Sequence, residues 1–122
     1  MTDKQYSVDE ANALLPYLAP ALVELREKFE EATEIRVQLT KAASGNGWSD
    51  KRDRWSRTLG RVAELIERLA EWGVELKDIS TGLVDFPTTI QGRDAYLCWR
   101  LGEAEVAHWH FKEDGFQGRR PL

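Results

Sequence analysis

The sequence is poor in the residues from which reactive centres are most often built. It holds one cysteine, Cys98, and two histidines in 122 residues. A lone cysteine excludes an intramolecular disulfide framework and a multi-cysteine zinc site, and it fits a reducing, cytoplasmic setting. No apolar run approaches the roughly 20 residues that a membrane-spanning helix needs. The opening MTDKQYSVDEAN has no basic segment followed by an apolar one, so no signal peptide is expected. Net positive charge is lacking as well: 17 Lys and Arg stand against 21 Asp and Glu, a balance of −4. Such a chain does not coat nucleic acid or an anionic membrane by bulk charge. What remains is 42% hydrophobic and 31% charged, with five tryptophans. That composition suits one compact soluble domain over residues 1–122.

The first two thirds read as helix. Ser7-Val8-Asp9-Glu10 has the Ser-x-x-Glu spacing in which both side chains satisfy orphan amides, so a helix starts near Val8. Pro16 is expected to break or kink it, with Pro20 near the first turn of a resumed helix. Leu18, Leu22, Leu25, Phe29, Ala32 and Leu39 then follow coiled-coil-like steps of four and three, with Arg36 interrupting the series. Ala43-Ser44-Gly45-Asn46-Gly47 stops the helix. A second helix, starting between Ser49 and Trp55, carries the stripe Trp55, Leu59, Val62, Ile66 and Leu69. Near its end the row Leu65, Leu69, Trp72 and Leu76 widens the apolar face, which something must cover. The two helices are expected to form an antiparallel hairpin over 8–76.

The last third, 82–122, supplies the cover. Gly73 ends the second helix, and Val74 to Ile79 is an extended or irregular connection. Leu83-Val84-Asp85-Phe86 reads as a strand stopped by Pro87, Asp94 to Arg100 as a second, and Glu105 to Phe111 as a third after a turn at Gly102. The fold class is therefore α+β: a long antiparallel helical hairpin with a small C-terminal antiparallel sheet covering its base. A helix from Tyr17 to Ala42 is roughly 39 Å long, whereas a seven-residue strand reaches only about 24 Å. The sheet cannot cover the whole hairpin. Its tip is left as an arm for a partner or for a second copy of the chain.

Strand periodicity also sorts the polar residues into faces. With an even connection, Arg93, Ala95, Leu97 and Trp99 share a side with Val106, His108 and His110, while Tyr96, Cys98, Trp109 and Phe111 take the other. An odd connection changes that pairing.

The runs Val84-Asp85-Phe86-Pro87, Gly92-Arg93, Leu97-Cys98-Trp99-Arg100, Gly102-Glu103, Trp109-His110 and Gly115-Phe116-Gln117-Gly118-Arg119 occur in that order. Together with the opening YSVDEANALLP they resemble an uncharacterised bacterial family, domain of unknown function 2203, across almost the whole chain. The resemblance implies a small cytoplasmic prokaryotic protein with a helical hairpin and a C-terminal β unit, and it implies no particular activity. In that family an aromatic residue usually precedes the Trp-His pair, so His108 is a departure.

Four constellations could carry chemistry. His108 and His110, two apart on a strand, place two imidazoles on one face, and with Asp85 as the carboxylate they could hold zinc, iron or copper. A core role for His110, with His108 at the surface, is the commoner outcome. Arg93, His110 and Arg119, the last following a glycine-rich turn, could form a small anion pocket, although pairing of the arginines with Asp85, Glu103 or Glu105 would serve structure alone. Cys98, across the sheet from the histidines in the even register, is expected to be a buried, inert thiol. At the hairpin tip, Trp48, Lys51, Arg52, Arg54, Trp55, Arg57 and Arg61 interleave rings with positive charge as single-strand binders do, but Asp50 and Asp53 dilute the patch and nucleic acid is not the expected partner.

No complete catalytic constellation appears, and the apolar stripes directly imply helix packing. The expected function is a non-catalytic interaction or regulatory module that dimerises through its hairpin. The alternative is a ligand- or metal-binding protein or enzyme using the Arg93, His108 and His110 face.

Overall fold

The computed structural model of the chain describes residues 4–42, 45 and 47–122. The helical start is the predicted capping box: the Glu10 amide donates to Ser7 Oγ at 3.1 Å, and the Ser7 amide donates to Glu10 Oε1 at 3.0 Å. From there α1 runs Val8–Ala42 and α2 returns as Trp48–Trp72. Of the predicted stop between them, residues 43, 44 and 46 lie outside the described set, and Gly47 precedes α2 at φ 81°. Gly73 ends α2 as expected, at φ 77°, with the Gly73 and Val74 amides donating to the carbonyls of Ala70 and Leu69.

The expected break at Pro16 does not occur, because α1 passes through both Pro16 and Pro20 as one helix. The two prolines are four residues apart, hence on one side of the helix, and both are exposed. The helical hydrogen bonds they remove lie on a wet side, and the packed side holds the helix together. That side is Ala11, Leu18, Ala21, Leu22, Leu25, Ala32 and Ile35. Phe29 of the predicted stripe is 44% exposed, and Ile35 is buried instead.

The face of α2 is also rotated from expectation. Thr58, Val62, Leu65 and Leu69 are buried, while Leu59 and Ile66 are not. At 100° per residue the buried row is turned by about 50° from the predicted Trp55, Leu59, Val62, Ile66, Leu69 row, with which it shares Val62 and Leu69. The second predicted row, with Leu65, Leu69 and Trp72, is the one that meets the rest of the protein. Halfway along the hairpin Arg61 binds Glu24 in two-pronged fashion, Nε to Oε2 at 2.6 Å and an Nη to Oε1 at 2.8 Å, and holds that carboxyl below its usual range.

After the hairpin comes an antiparallel meander of five strands in chain order: β1 Glu75–Asp78, β2 Leu83–Ile90, β3 Arg93–Arg100, β4 His108–Phe111 and β5 Arg120–Pro121. A 3₁₀ turn, Phe116–Gly118, precedes β5. The irregular connection expected at Val74 to Ile79 thus contains β1. Gly82 turns the chain from β1 into β2 at φ 66°, and a Cβ there would lie 2.6 Å from the Leu101 Cβ. Only glycine fits that approach.

Pro87 does not stop β2. Its carbonyl accepts from the Tyr6 amide at 2.8 Å, on the side away from β3. The proline nitrogen faces the same side, where the short β1 has already ended at the partner of Asp85. Its missing N–H therefore costs the ladder nothing. The third predicted strand starts three residues later than expected, at His108. The backbone before it is bound elsewhere, since the Val106 amide donates to Asn12 Oδ1 at 2.7 Å and the Ala107 carbonyl accepts from the Leu122 amide.

Val84, Phe86, Leu97 and Trp99 project from one face of the sheet into a core shared with Leu18, Leu22, Leu25, Val62, Leu65 and Leu69. Tyr6 fastens this junction in three ways. Its amide binds β2, its hydroxyl donates to the Trp72 carbonyl at the end of α2 at 2.5 Å, and its ring meets Phe86 edge-on at 5.1 Å. Replacing Tyr6 by Phe is expected to lower unfolding free energy by about 1 kcal/mol through the lost hydroxyl, and Tyr6→Ala by about 4 kcal/mol through the cavity. Urea unfolding followed by tryptophan fluorescence measures both; equal losses would show that the ring contributes nothing.

Candidate functional site

The face of the sheet turned away from the helices carries the polar residues that the sequence singled out. Register decides which ones. Along β3 and β4, Tyr96 pairs with His110 and Cys98 with His108, while Ala95 pairs with Phe111 and Leu97 with Trp109. Directly paired residues of an antiparallel ladder point to the same side. The connection is therefore odd, and the even-register expectation is overturned: His108 and His110 lie with Tyr96 and Cys98, and Arg93 lies on the opposite face. On β2, Asp85 pairs with Cys98 and also with Glu75 of β1, so both carboxylates join the histidine face.

Asp85 and His110 meet there, both almost wholly buried. His110 Nδ1 lies 2.9 Å from the Phe111 carbonyl, and Nε2 lies 3.1 Å from Asp85 Oδ2. A carbonyl only accepts, so Nδ1 carries a hydrogen. Nε2 and the carboxylate would then oppose lone pair to lone pair unless a further proton lies between them. The dyad thus holds one shared proton and is neutral as a unit, either as carboxylic acid with imidazole or as carboxylate with imidazolium. Burial pushes the Asp85 carboxyl above its ordinary range, although His110, Lys77 and the Cys98 thiol pull the other way. The Tyr96 ring lies beside His110, centroids 5.5 Å apart.

Cys98 is buried beside this dyad. Burial, with the Asp85 carboxylate next to it, pushes the thiol up to about 12. The expected burial of the thiol is found, beside the histidine face rather than across the sheet from it. His110 is close by, yet it is committed to Asp85 and Phe111 and does not act on the sulfur.

His108 belongs to a second cluster. Arg119 donates to Glu103 Oε2 at 2.5 Å and to His108 Nδ1 at 2.6 Å. Arginine cannot accept, so His108 is the neutral imidazole with its hydrogen on Nε2. Glu103 also accepts from the Arg100 amide at 2.7 Å, and its carbonyl accepts from Trp99 Nε1 at 3.1 Å. These bonds tie the C-terminal segment to the β3–β4 connection. Of the residues considered for a metal, His110 and Asp85 come together, whereas His108 is turned to Arg119 and Glu103. Among the described residues no group of three or more His, Cys, Asp or Glu side chains is arranged to hold a metal ion.

The considered anion trio is likewise divided. Arg93 stacks on Phe111 at 3.8 Å and pairs with Glu113, on the inner face of the sheet. His110 and Arg119 share the outer face but serve different clusters. In the glycine-rich turn, the Gly118 amide is already given to the Gly115 carbonyl.

Above Asp85 and His110 lies a cleft of about 340 Å³ bounded by Lys77, Leu83, Tyr96, Lys112 and Gly115. Lys77 bonds Glu75 at 3.0 Å and sits 5.6 Å from the Tyr96 ring centre. Burial alone would raise the Glu75 carboxyl, but hydrogen bonds from Tyr96 and Lys77 and the charge of Lys112 outweigh it and set it below the usual range. Tyr96 is pushed up to about 12 by burial and by Glu75. The two lysines and Tyr96 were not foreseen as site residues. An odd β3–β4 connection, which puts every even-numbered β3 residue beside the histidines, was the signal that could have found Tyr96.

A helical hairpin laid on one face of a five-stranded meander, with a buried carboxyl–imidazole pair on the other, defines a small α+β protein. The chain belongs to the family of uncharacterised conserved proteins DUF2203, whose model matches residues 4–122. No curated protein and no solved structure matches it. Among the described residues no helix is long and apolar enough to cross a membrane.

The raised Asp85 value fixes a pH dependence. The folded state holds this proton more tightly than the unfolded chain, so the associated stability is full below the unfolded value and is lost as pH rises from about 4 through the folded value. Asp85→Asn, which keeps the shape, is expected to lose less stability than the wild type between about pH 4 and 7 in urea titrations. His110→Ala, which strands the buried carboxyl, is expected to lose about 3 kcal/mol at neutral pH and less in acid. A pH-independent loss would contradict the shared proton. Cys98 in the native protein is expected to resist Ellman's reagent at pH 8 and to react fully in denaturant; rapid native labelling would refute its burial.

Proposed function

We propose that the protein is a non-catalytic interaction module that self-associates through its helical hairpin, acting in the cytoplasm, with the sheet as its base. One observation carries the reading. Leu59, Ala63, Ile66 and Ala70, spaced by four, three and four, form an exposed row on α2 beside its buried face. Leu59 is 37% and Ile66 42% exposed.

Charge along α2 favours a second copy as the occupant. The first half carries Lys51, Arg52, Arg54, Arg57 and Arg61 against Asp50 and Asp53; the second carries Glu64, Glu67 and Glu71 against Arg68. This order opposes the helix dipole, which favours acidic residues at the start and basic ones at the end. Two α2 helices packed antiparallel about a dyad near Ala63 to Ile66 bring the basic half of each against the acidic half of the other. In that register Leu59 of one copy lies opposite Ala70 of the second, and Ala63 opposite Ile66. The protonated thiol and the fully engaged His110 ring agree with a non-catalytic role.

The test is solution mass. At roughly 100 μM the protein is expected at twice the 14.0 kDa of one chain. Ile66→Asp, on the exposed surface, should be monomeric with an unchanged circular dichroism spectrum. A monomeric wild type, or a dimer indifferent to Ile66→Asp, would overturn the reading.

A further inference from the structure

The cleft over Asp85 and His110 has a composition that the self-association of α2 does not use. Its floor is the neutral dyad with one shared proton, and its walls are Leu83, the Tyr96 ring and Gly115, whose Cβ position is open. At the mouth stand Lys77 and Lys112. Glu75 balances Lys77, whereas Lys112 makes no ion pair among the described residues. Counting Lys77, Lys112 and Glu75 with the neutral dyad leaves the cleft one positive charge. Its size, about 340 Å³, lies within the usual range of small-molecule sites.

We infer that this cleft binds a small organic monocarboxylate carrying a hydroxyl group next to its acid group. The carboxylate lies at Lys112, assisted by Lys77, where the single unbalanced charge is. The second oxygen reaches the dyad. The proton between Asp85 and His110 is given within the pair and both His110 nitrogens are engaged, so the dyad offers a ligand carboxyl lone pairs and accepts from a hydroxyl. A dianion would leave one charge uncompensated, and a cation would meet Lys112 directly. A neutral molecule would leave the Lys112 charge unused. Leu83 and Tyr96 supply an apolar wall for a short hydrocarbon part.

Calorimetric titration of the full chain with lactate and with pyruvate tests this, alongside succinate, inorganic phosphate and acetamide. Lactate is expected to bind saturably, with Kd at or below roughly 1 mM, and more tightly than pyruvate and the other three probes. Lys112→Met, an exposed change, is expected to weaken that binding at least tenfold, and Asp85→Asn to alter the preference between lactate and pyruvate. Nitrogen-detected NMR of the His110 imidazole should shift on saturation. Ile66→Asp should bind as the wild type does, which separates this site from self-association. No saturable response to lactate, tighter binding of pyruvate, phosphate or succinate, indifference to Lys112→Met, or an unmoved His110 signal would each overturn the assignment.

Discussion

Tyr6 is where the two halves of the molecule are joined. The hairpin and the sheet each satisfy most of their own backbone internally, and what remains is to hold one apolar face against the other. A single side chain does this by spanning three elements: amide to the Pro87 carbonyl, hydroxyl to the last carbonyl of α2, ring against Phe86. The helix-end carbonyl is one of the orphan acceptors every helix leaves, and here it is answered from the far end of the chain. The Pro87 carbonyl is likewise an acceptor that a shorter β1 leaves open. Each element's unfinished hydrogen bonding becomes the other's point of attachment.

The opposite side of the sheet obeys a different constraint. Burying a carboxyl is costly unless charge or proton is supplied with it. Asp85 obtains both from His110, and the presence of Cys98 as a third neighbour keeps the site compact and the thiol protonated. Glu103 and Arg119 repeat the pairing logic next door with permanent charges. The outer face is thus a row of internally balanced polar groups, and Lys112, which makes no close ion pair among the described residues, stands at its edge. Imbalance of that kind is what distinguishes a place for something else from a fastening.

Much of the architecture was legible. The capping box, the Gly73 stop, the antiparallel hairpin and the covering sheet all follow from local patterns of sequence. What failed was what depends on distant partners. Pro16 looked like a break because nothing in its neighbourhood tells that its side of α1 is the wet one. Pro87 looked like a stop because the length of β1 is not written near it. The β3–β4 register was open because the Asn12 side chain, 94 residues before Val106, holds the connection off the ladder. That one contact decides whether His110 faces Arg93 or Cys98, so the candidate site was legible as a set of residues and illegible as a geometry. Leu59 and Ile66 were read as core for a related reason: α2 has apolar residues on more than half its circumference, and periodicity alone does not say which arc is used.

The meander order has a consequence for how the chain comes together. Every strand pairs with its neighbour in sequence, and α1 with α2, so nearly all the ladders and helix contacts close short loops and can form early and independently. The Tyr6 contacts are of another kind, with the hydroxyl reaching 66 residues along the chain. During synthesis from the N-terminus, Tyr6 emerges long before Trp72 and Pro87 exist to receive it. The first described segment therefore stays unfastened until the end of α2 and the whole of β2 have been made.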